Sequence, residues 1–325
     1  MLQITHPTRT DRFMMRAVVQ DRAGGPEALR VVGTVRPEPA ATEILVQVCA
    51  AGVNPTAWKT EGRTTFHSGA KPPFPLGFDV SGVVEAVGPG VTLFRPGDEV
   101  FGMPRCPQLA GTYADYVAAP ARHFARRPAN VDHVQAAGIP LAALTAWQAL
   151  VDTADVGPGK RVLIHAAAGG VGHLAVQIAK ARGAHVIGTA SRGKHAFLRR
   201  LGVDELIDYT REDFAETVRD VDAVLDAVGG SYGERSLRTL RPGGTLVTIV
   251  PPDKTFPAEQ ARAAGVHAVF LCAEPDHAGL REIANLVESG QLRVEIAAVF
   301  PLTEACRAHE LGETGHARGK IVLTT

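Results

Sequence analysis

The stretch Arg161–Lys180, RVLIHAAAGGVGHLAVQIAK, decides the fold. Val162–Ile164 is a short apolar run and reads as a buried strand. A turn of small residues follows, Ala166-Ala167-Ala168-Gly169-Gly170-Val171-Gly172. Beyond it Leu174, Ala175, Val176, Ile178 and Ala179 fall on helical spacing, and Lys180 suits the last turn. Strand, glycine turn and helix in this order make the geometry that grips a dinucleotide pyrophosphate. Missing Cβ atoms let backbone N–H groups come close to phosphate, and the helix N-terminus offers unpaired donors and a partial positive charge. Ala167 stands where the usual pattern starts with glycine, so the turn alone also fits a strand-to-helix connection without ligand. The order of elements around it favours the nucleotide.

Downstream, short apolar runs alternate with helical patterns. His185–Thr189, Glu205–Ile207, Ala223–Leu225, Thr245–Ile249 and Ala268–Leu271 read as strands, with helices over Lys194–Leu201, Ser231–Leu240 and Leu280–Val287. Such alternation implies a parallel, doubly wound α/β sheet. Upstream the character differs. Arg16–Val19, Leu29–Val32, Glu43–Ala50, Gly82–Val87 and Glu99–Phe101 read as strands, broken by Gly24-Gly25-Pro26, Gly88-Pro89-Gly90 and Pro96-Gly97-Asp98. Short strands with such turns suggest a compact β-barrel-like domain. Between the halves, the alanine- and leucine-rich segment Val131–Val151 reads as helix. Lys320–Leu323 reads as a last strand, returned to the first domain because the nucleotide sheet is already complete.

The chain has 325 residues, which suits two domains. Its 34 basic and 34 acidic residues balance, which gives no electrostatic footprint for nucleic acid or a membrane surface. Cys49, Cys106, Cys272 and Cys306 are scattered without CxxC pairing, so neither a disulfide framework nor a zinc knuckle is expected and a reducing cytoplasm fits. No apolar run is long enough to span a bilayer. Met1–Phe13 is polar, lacks an apolar signal core, and is expected to be a disordered extension or the product of a misplaced start.

The end of the second nucleotide strand carries a cofactor preference. An NAD site usually places an acid there for the ribose 2′-OH. Here Gly188-Thr189-Ala190-Ser191-Arg192-Gly193-Lys194 has no acid. The Ser191 hydroxyl with the Arg192 and Lys194 charges suits a 2′-phosphate, so NADPH is expected; a solvated basic turn is the plainer alternative.

Several ordered blocks carry a resemblance: AAGVNPTAWK (Ala50–Lys59), PLGFDVSGVVEAVGPGV (Pro75–Val91), RPGDEVFG (Arg95–Gly102), GTYADYV (Gly111–Val117), GKRVLIHAAAGGVGHLAVQIAK (Gly159–Lys180) and HARGKIVL (His316–Leu323). From about Met15 to the C-terminus the chain resembles the zinc-free medium-chain dehydrogenase/reductases of the quinone oxidoreductase (zeta-crystallin) branch, similar to NADPH-dependent alkenal and enone reductases. The resemblance implies a GroES-like β-barrel domain, split in sequence over 15–135 and 291–325, and a Rossmann NADPH-binding domain over 136–290, after a disordered extension over 1–14. It implies a pyrophosphate turn of Gly169, Gly170, Val171 and Gly172. It implies a 2′-phosphate clasp of Ser191, Lys194 and Tyr209, with Asn54 and Thr145 beside the nicotinamide and a further cofactor contact from Arg318. Lys59 matches a cleft lysine of relatives that read NPVDxK; here Ala57 replaces the aspartate. The resemblance also implies a homodimer formed through the Rossmann domain.

No metal is expected. Zinc-dependent relatives place Cys or His at the positions of Asn54 and Phe78 and carry a four-cysteine lobe, and tetrahedral Zn²⁺ needs such ligands. Reduction of an electron-poor C=C is then easier to support than alcohol oxidation. The resemblance implies hydride addition to the β-carbon of an enone, with Asn54 and Lys59 as catalytic donors to the enolate oxygen and Lys59 or water as proton source. Trp58 and Phe66 are candidates for an apolar substrate wall or for core packing. His173 is expected on the helix surface rather than at a phosphate. Two other functions stay open from the residues: an enoyl-thioester reductase of polyketide or fatty-acyl assembly, and a non-catalytic nucleotide-binding protein.

Overall fold

The computed structural model describes residues 14–58 and 71–325. The first half is β-rich, in keeping with its closely spaced turns. In chain order it forms β1 (Met14–Gln20), β2 (Leu29–Val35), β3 (Glu43–Val53), β4 (Phe74–Pro75), β5 (Val80–Val87), β6 (Glu99–Gly102), β7 (Tyr116–Pro120) and β8 (Phe124–Arg126). The sequence pattern identified β1, β2, β3, β5 and β6. It missed β4, β7 and β8; β4 and β8 span only two and three residues, too few for a period-2 signal to stand out. The polar extension lies outside the described residues except for Met14, which already belongs to β1.

The expected helix over Val131–Val151 is broken. Helices α1 (His133–Ala137) and α2 (Pro140–Trp147) are followed by a π-helical turn over Gln148–Thr153. Pro140 has no N–H to give the preceding turn, so one helix ends and the next begins with Pro at its first position.

The nucleotide half then alternates as expected: β9 (Arg161–Ile164), α3 (Gly172–Ala181), β10 (His185–Thr189), α4 (His195–Arg200), β11 (Glu205–Ile207), α5 (Phe214–Thr217) and β12 (Val221–Asp226). It continues through α6 (Ser231–Leu237), β13 (Leu240–Thr248), α7 (Ala258–Ala263), β14 (His267–Phe270) and α8 (His277–Glu288). The chain ends with β15 (Ile296–Pro301), α9 (Ala305–Glu313) and β16 (Lys320–Thr324).

Strands β9 to β14 form one parallel sheet in the order β11-β10-β9-β12-β13-β14, with β9 in the middle and the chain running outward to both edges. This is the doubly wound order, and the crevice at its switch point lies at the C-terminal ends of β9 and β12. The other large sheet runs β15-β16-β3-β5-β6-β8, with β7 also on β3, and a small sheet holds β2-β1-β4. The last strand does return to the first half: β16 pairs antiparallel with β3.

The two halves share a core. Phe78, Phe101, Met103 and Ala125 from the β-rich half pack in one buried cluster with Val162, Ile164, Leu174 and Leu225. Every one of these side chains is at most 2 % exposed. Burial of this kind, at about 25 cal/mol per Å² of apolar surface, fixes the halves against each other. Among the described residues, no helix is long and apolar enough to cross a membrane.

Candidate active site

The glycine turn after β9 is built for close approach. Ala166 has a positive φ of 50°, and the Gly169 N–H closes back on its carbonyl at 2.8 Å. A Cβ on Gly172 would collide with the Ala166 carbonyl and lie 2.7 Å from Ala167 Cα, so only glycine lets α3 start this close to the turn. No side chain caps α3. Among the described residues, the N–H groups of Gly170, Val171 and Gly172 find no backbone carbonyl. Uncapped donors at a helix N-terminus, with the dipole behind them, are what an anionic phosphate requires.

His173 differs from expectation. It is fully buried rather than on the surface. Its Nδ1 lies 2.8 Å from the Gly169 carbonyl, and its Nε2 accepts the Glu295 N–H at 3.2 Å. This pattern fixes a neutral ring with the proton on Nδ1, and burial pushes its pKa down to about 4. The ring thus braces the turn from behind, against the segment leading to β15. The helical pattern could not show this, because α3 is covered on both sides.

The residues expected to clasp a 2′-phosphate follow the ends of β10 and β11. Thr189 on β10 pairs with Ile207 on β11, so Ser191 and Tyr209 leave neighbouring strands at the same level. Ser191 starts a short 3-10 turn, Arg192–Lys194, and the Lys194 N–H closes on the Ser191 carbonyl. Tyr209 is 50 % exposed. Arg318 forms an ion pair with Glu295 and lies over the Phe197 ring, 4.9 Å from its centroid. A surface cavity of about 830 Å³, lined by Lys180, Phe197, Arg200, Arg293 and Glu295 among others, sits beside this pair. None of Asn54, Thr145 or the glycine turn lines it, so it is separate from the cleft chemistry.

Sheet register explains the other side of the cleft. Val53 pairs with Ile321, so the next position outward sets Asn54 opposite Lys320. Ala50 pairs with Ser81, which brings Asp79 opposite Gly52. A side chain on Gly52 would lie 2.7 Å from the Asp79 carboxylate, so glycine is required there. The result is a cluster in which Asn54 and Lys320 are each 3 % exposed and Asp79 is fully buried.

Every group in the cluster is paired. Lys320 Nζ donates to Asn54 Oδ1. Asn54 Nδ2 donates to Asp79 Oδ2 at 2.8 Å, and a longer contact of 3.4 Å reaches the Gly52 carbonyl. Lys320 Nζ lies 3.6 Å from Asp79 Oδ2. Asp79 Oδ1 accepts the Leu141 N–H at 2.6 Å, which satisfies an orphan donor in the first turn of α2. One turn on, the Thr145 hydroxyl donates to the Leu141 carbonyl at 2.6 Å. Burial pushes the Asp79 carboxyl up and the Lys320 ammonium down, and each opposes the other's shift by its charge. The Lys320 stem also lies close to the nucleotide turn: a Cβ added to Gly170 would meet Lys320 Cδ at 3.4 Å. Neither Asp79 nor Lys320 was singled out from sequence. The available signal was one charge of each sign inside the apolar runs Phe78–Val80 and Lys320–Leu323.

Trp58 does not form a free wall. It packs on α9 at Gly312, with its ring centroid 5.1 Å from that of His309. Lys59 and Phe66 lie outside the described residues. At the two positions where zinc-dependent relatives hold ligands, Phe78 offers no donor atom and the Asn54 amide is turned to Lys320 and Asp79. Among the described residues, no three His, Cys, Asp or Glu side chains converge. These residues do not fit a tetrahedral zinc set.

Comparison with known proteins agrees with this architecture. Residues 40–129 match the family model for the alcohol dehydrogenase GroES-like domain, and residues 201–323 match that for zinc-binding dehydrogenase. The mouse (Mus musculus) mitochondrial NAD(P)H oxidoreductase RTN4IP1 is 36 % identical, over 86 % of this chain and 81 % of that protein. The chloroplastic NADPH-dependent alkenal/one oxidoreductase of Arabidopsis thaliana is 33 % identical, over 95 % of this chain and 79 % of that protein. The structure of the quinone oxidoreductase from Coxiella burnetii superposes with a TM-score of 0.88 at 39 % identity, covering 96 % of this chain and 99 % of the other. Sheet order, glycine turn and these similarities lead to one conclusion: the chain belongs to the medium-chain dehydrogenase/reductase family, in the branch of the quinone oxidoreductases.

Proposed function

We propose that the protein is an NADPH-dependent reductase acting on an activated C=C bond or a quinone, with enones, alkenals and quinones as the substrate class. The observation that carries this reading is the closeness of Lys320 to the glycine turn, where the Gly319 N–H reaches the Ala168 carbonyl at 3.4 Å and a Cβ added to Gly170 would meet Lys320 Cδ at 3.4 Å. It sets an uncapped phosphate-type turn directly beside the buried Asn54–Asp79–Lys320 cluster. NADPH, when bound, supplies the hydride. The N–H groups of Gly170, Val171 and Gly172 would hold its pyrophosphate, with Gly169 shaping the turn. Ser191, Lys194 and Tyr209 would hold the 2′-phosphate, with Arg318 as a further contact. Thr145 and Asn54 would flank the nicotinamide.

The chain's own chemistry is electrostatic. As an enone is reduced, negative charge moves onto its carbonyl oxygen, and fixed donors there lower the barrier. Asn54 is the proposed donor: its N–H toward Gly52 is held only at 3.4 Å, so a ligand oxygen can take it over. Lys59 is the proposed second donor and holds the proton on Nζ for the α-carbon. No metal is assigned a role.

We also propose that the chain divides into 15–135 with 291–325 and 136–290, supported by the return of β15 and β16 to the sheet of β3. A homodimer is proposed on the free edge of β14, the last strand of its sheet. A cytoplasmic location is proposed on four free thiols, which suit a reducing compartment. Sedimentation at several concentrations tests the dimer.

Following NADPH absorbance with a panel of enones, quinones and enoyl thioesters tests the function. Turnover of a simple enone or quinone, unaffected by chelators, is expected. No oxidation with any of the panel would overturn the reading, and turnover confined to thioesters would move it to the acyl-assembly class.

A further inference from the structure

The cluster around Asp79 deepens the proposed function, on which this step rests. An asparagine side chain looks alike at both ends of its amide, and only its neighbours decide which end faces a ligand. Here the neighbours decide completely. Lys320 has no acceptor, so it can face only Oδ1. Asp79, in an ion pair with Lys320 at 3.6 Å, turns an acceptor oxygen to Nδ2. Asp79 is itself pinned by the Leu141 N–H at 2.6 Å. Lys320 is held beside the nucleotide turn because the preceding Gly319 N–H reaches the Ala168 carbonyl at 3.4 Å, and its ammonium is held by Asn54 and Asp79. The one N–H left loosely held, toward Gly52, is the one available to a ligand.

We propose that Lys320 is the positioning residue of this site: its ammonium, carried between the nucleotide turn and Asp79, fixes the polarity of the Asn54 amide so that an N–H, not the carbonyl, faces the reacting oxygen. A charge-assisted bond to Oδ1 also draws electron density from the nitrogen and strengthens the remaining N–H as a donor. A flipped amide would instead set a carbonyl against developing negative charge. Lys320 touches neither substrate nor product in this scheme and acts through Asn54.

The test is a double-mutant cycle on single-turnover hydride transfer to an enone, with NADPH affinity measured alongside. Lys320→Met should slow transfer about tenfold or more while changing NADPH affinity less than about threefold, and adding it to Asn54→Ala should cost nothing further. Lys320→Arg, which keeps a donor for Oδ1, should recover much of the rate. Lys320→Met leaves Asp79 as a lone buried charge and can fail to fold. The neutral pair Asp79→Asn with Lys320→Met then takes its place, and the same loss of effect on the Asn54→Ala background is expected. Rates that multiply across the cycle, or an unchanged rate in Lys320→Met, would overturn the role. Isotope-labelled side-chain amide resonances of Asn54 give a readout that needs no turnover. They should be distinct and slowly exchanging in the unaltered protein and in Lys320→Arg, and should collapse toward free-amide positions in the Met variants. Resonances that do not change would equally overturn the role. An unaltered enzyme that reduces no enone would sink the reductase reading alone, since the amide resonances still decide the part played by Lys320.

Discussion

Ser191 and Tyr209 stand level at the ends of two neighbouring parallel strands, each two positions past the paired Thr189 and Ile207. Lys194 follows Ser191 within one tight turn. Ser191, Lys194 and Tyr209 thus start from the same end of the sheet, and the segment Thr189–Lys194 holds no carboxylate that would repel a 2′-phosphate.

The first prediction follows from that geometry. NADPH should bind much more tightly than NADH, as fluorescence titration of both cofactors would show. Replacing Lys194 by Ala removes one charge-assisted contact and should cost about 1.5–3 kcal/mol with NADPH, roughly ten- to a hundred-fold. NADH binding should hardly change. Equal affinities for the two cofactors would refute the clasp.

The second prediction separates two glycines in one turn. Gly172→Ala drives a methyl into the Ala166 carbonyl and Ala167 backbone, atoms that cannot move aside. It should destabilise the protein by about 1–3 kcal/mol or more and lower its Tm. Gly170→Ala would set its methyl 3.4 Å from Lys320 Cδ and 3.5 Å from the Gly319 carbonyl oxygen, ordinary van der Waals distances. Its stability should stay within about 1 kcal/mol, while the new methyl obstructs the phosphate approach and weakens NADPH. Thermal melts with and without NADPH would distinguish the two, and a well-folded Gly172→Ala would contradict the packing described for α3.

Much of this was legible in the sequence, and the limits have physical causes. Strand–turn–helix at Arg161–Lys180 could be read because its signals are local: apolar run, small-residue turn, helical spacing. The last strand was readable as a return because the parallel sheet was already complete. The Asn54–Asp79–Lys320 cluster was not readable, because it forms only when register across β3, β5 and β16 brings together residues as much as 266 positions apart. His173 was misplaced for a related reason. A helix covered on both faces shows no polar side, so a buried histidine on it looks like a surface one. The break at Pro140 carried a local signal that the alanine-rich pattern around it obscured.

The third prediction concerns acid. His165, His173 and His309 are buried and neutral, with burial lowering their pKa values to about 3, about 4 and about 4. His165 sits between Thr189 Oγ1 at 3.2 Å and Ser236 Oγ at 3.0 Å, and burial together with the nearby Arg235 charge disfavours its protonated form. In the unfolded chain these rings titrate near 6.5, so between about pH 4 and 6.5 the unfolded state binds more protons and stability rises with pH. The contribution is complete above about pH 6.5 and is lost as pH falls. Urea unfolding at pH 7 and pH 5 should show a loss of about 2 kcal/mol per histidine. His309→Gln should remove part of that slope; a slope unchanged by it would exclude His309 as a contributor.

The last prediction concerns the chemical step. If Asn54 and Lys59 donate to the substrate oxygen, their contacts strengthen as charge arrives there, which favours the transition state over the ground state. Asn54→Ala and Lys59→Met should therefore slow hydride transfer to enones while leaving NADPH affinity nearly intact. A preorganised oxyanion donor is worth roughly 2.7–4 kcal/mol, about a hundred- to a thousand-fold in rate. Asn54 should carry the larger share, because its amide is held in place by Asp79 at 2.8 Å and by Lys320. Lys59 should cost less if its ammonium stays solvated at the rim, where charge is screened. Quinones should suffer a smaller penalty in both variants, since a stronger electrophile needs less help at the oxygen. Single-turnover measurements with an enone and a quinone side by side decide the matter. Enone rates that stay at the unaltered level in both variants would remove these two residues from the chemistry and leave bulk water as the proton source.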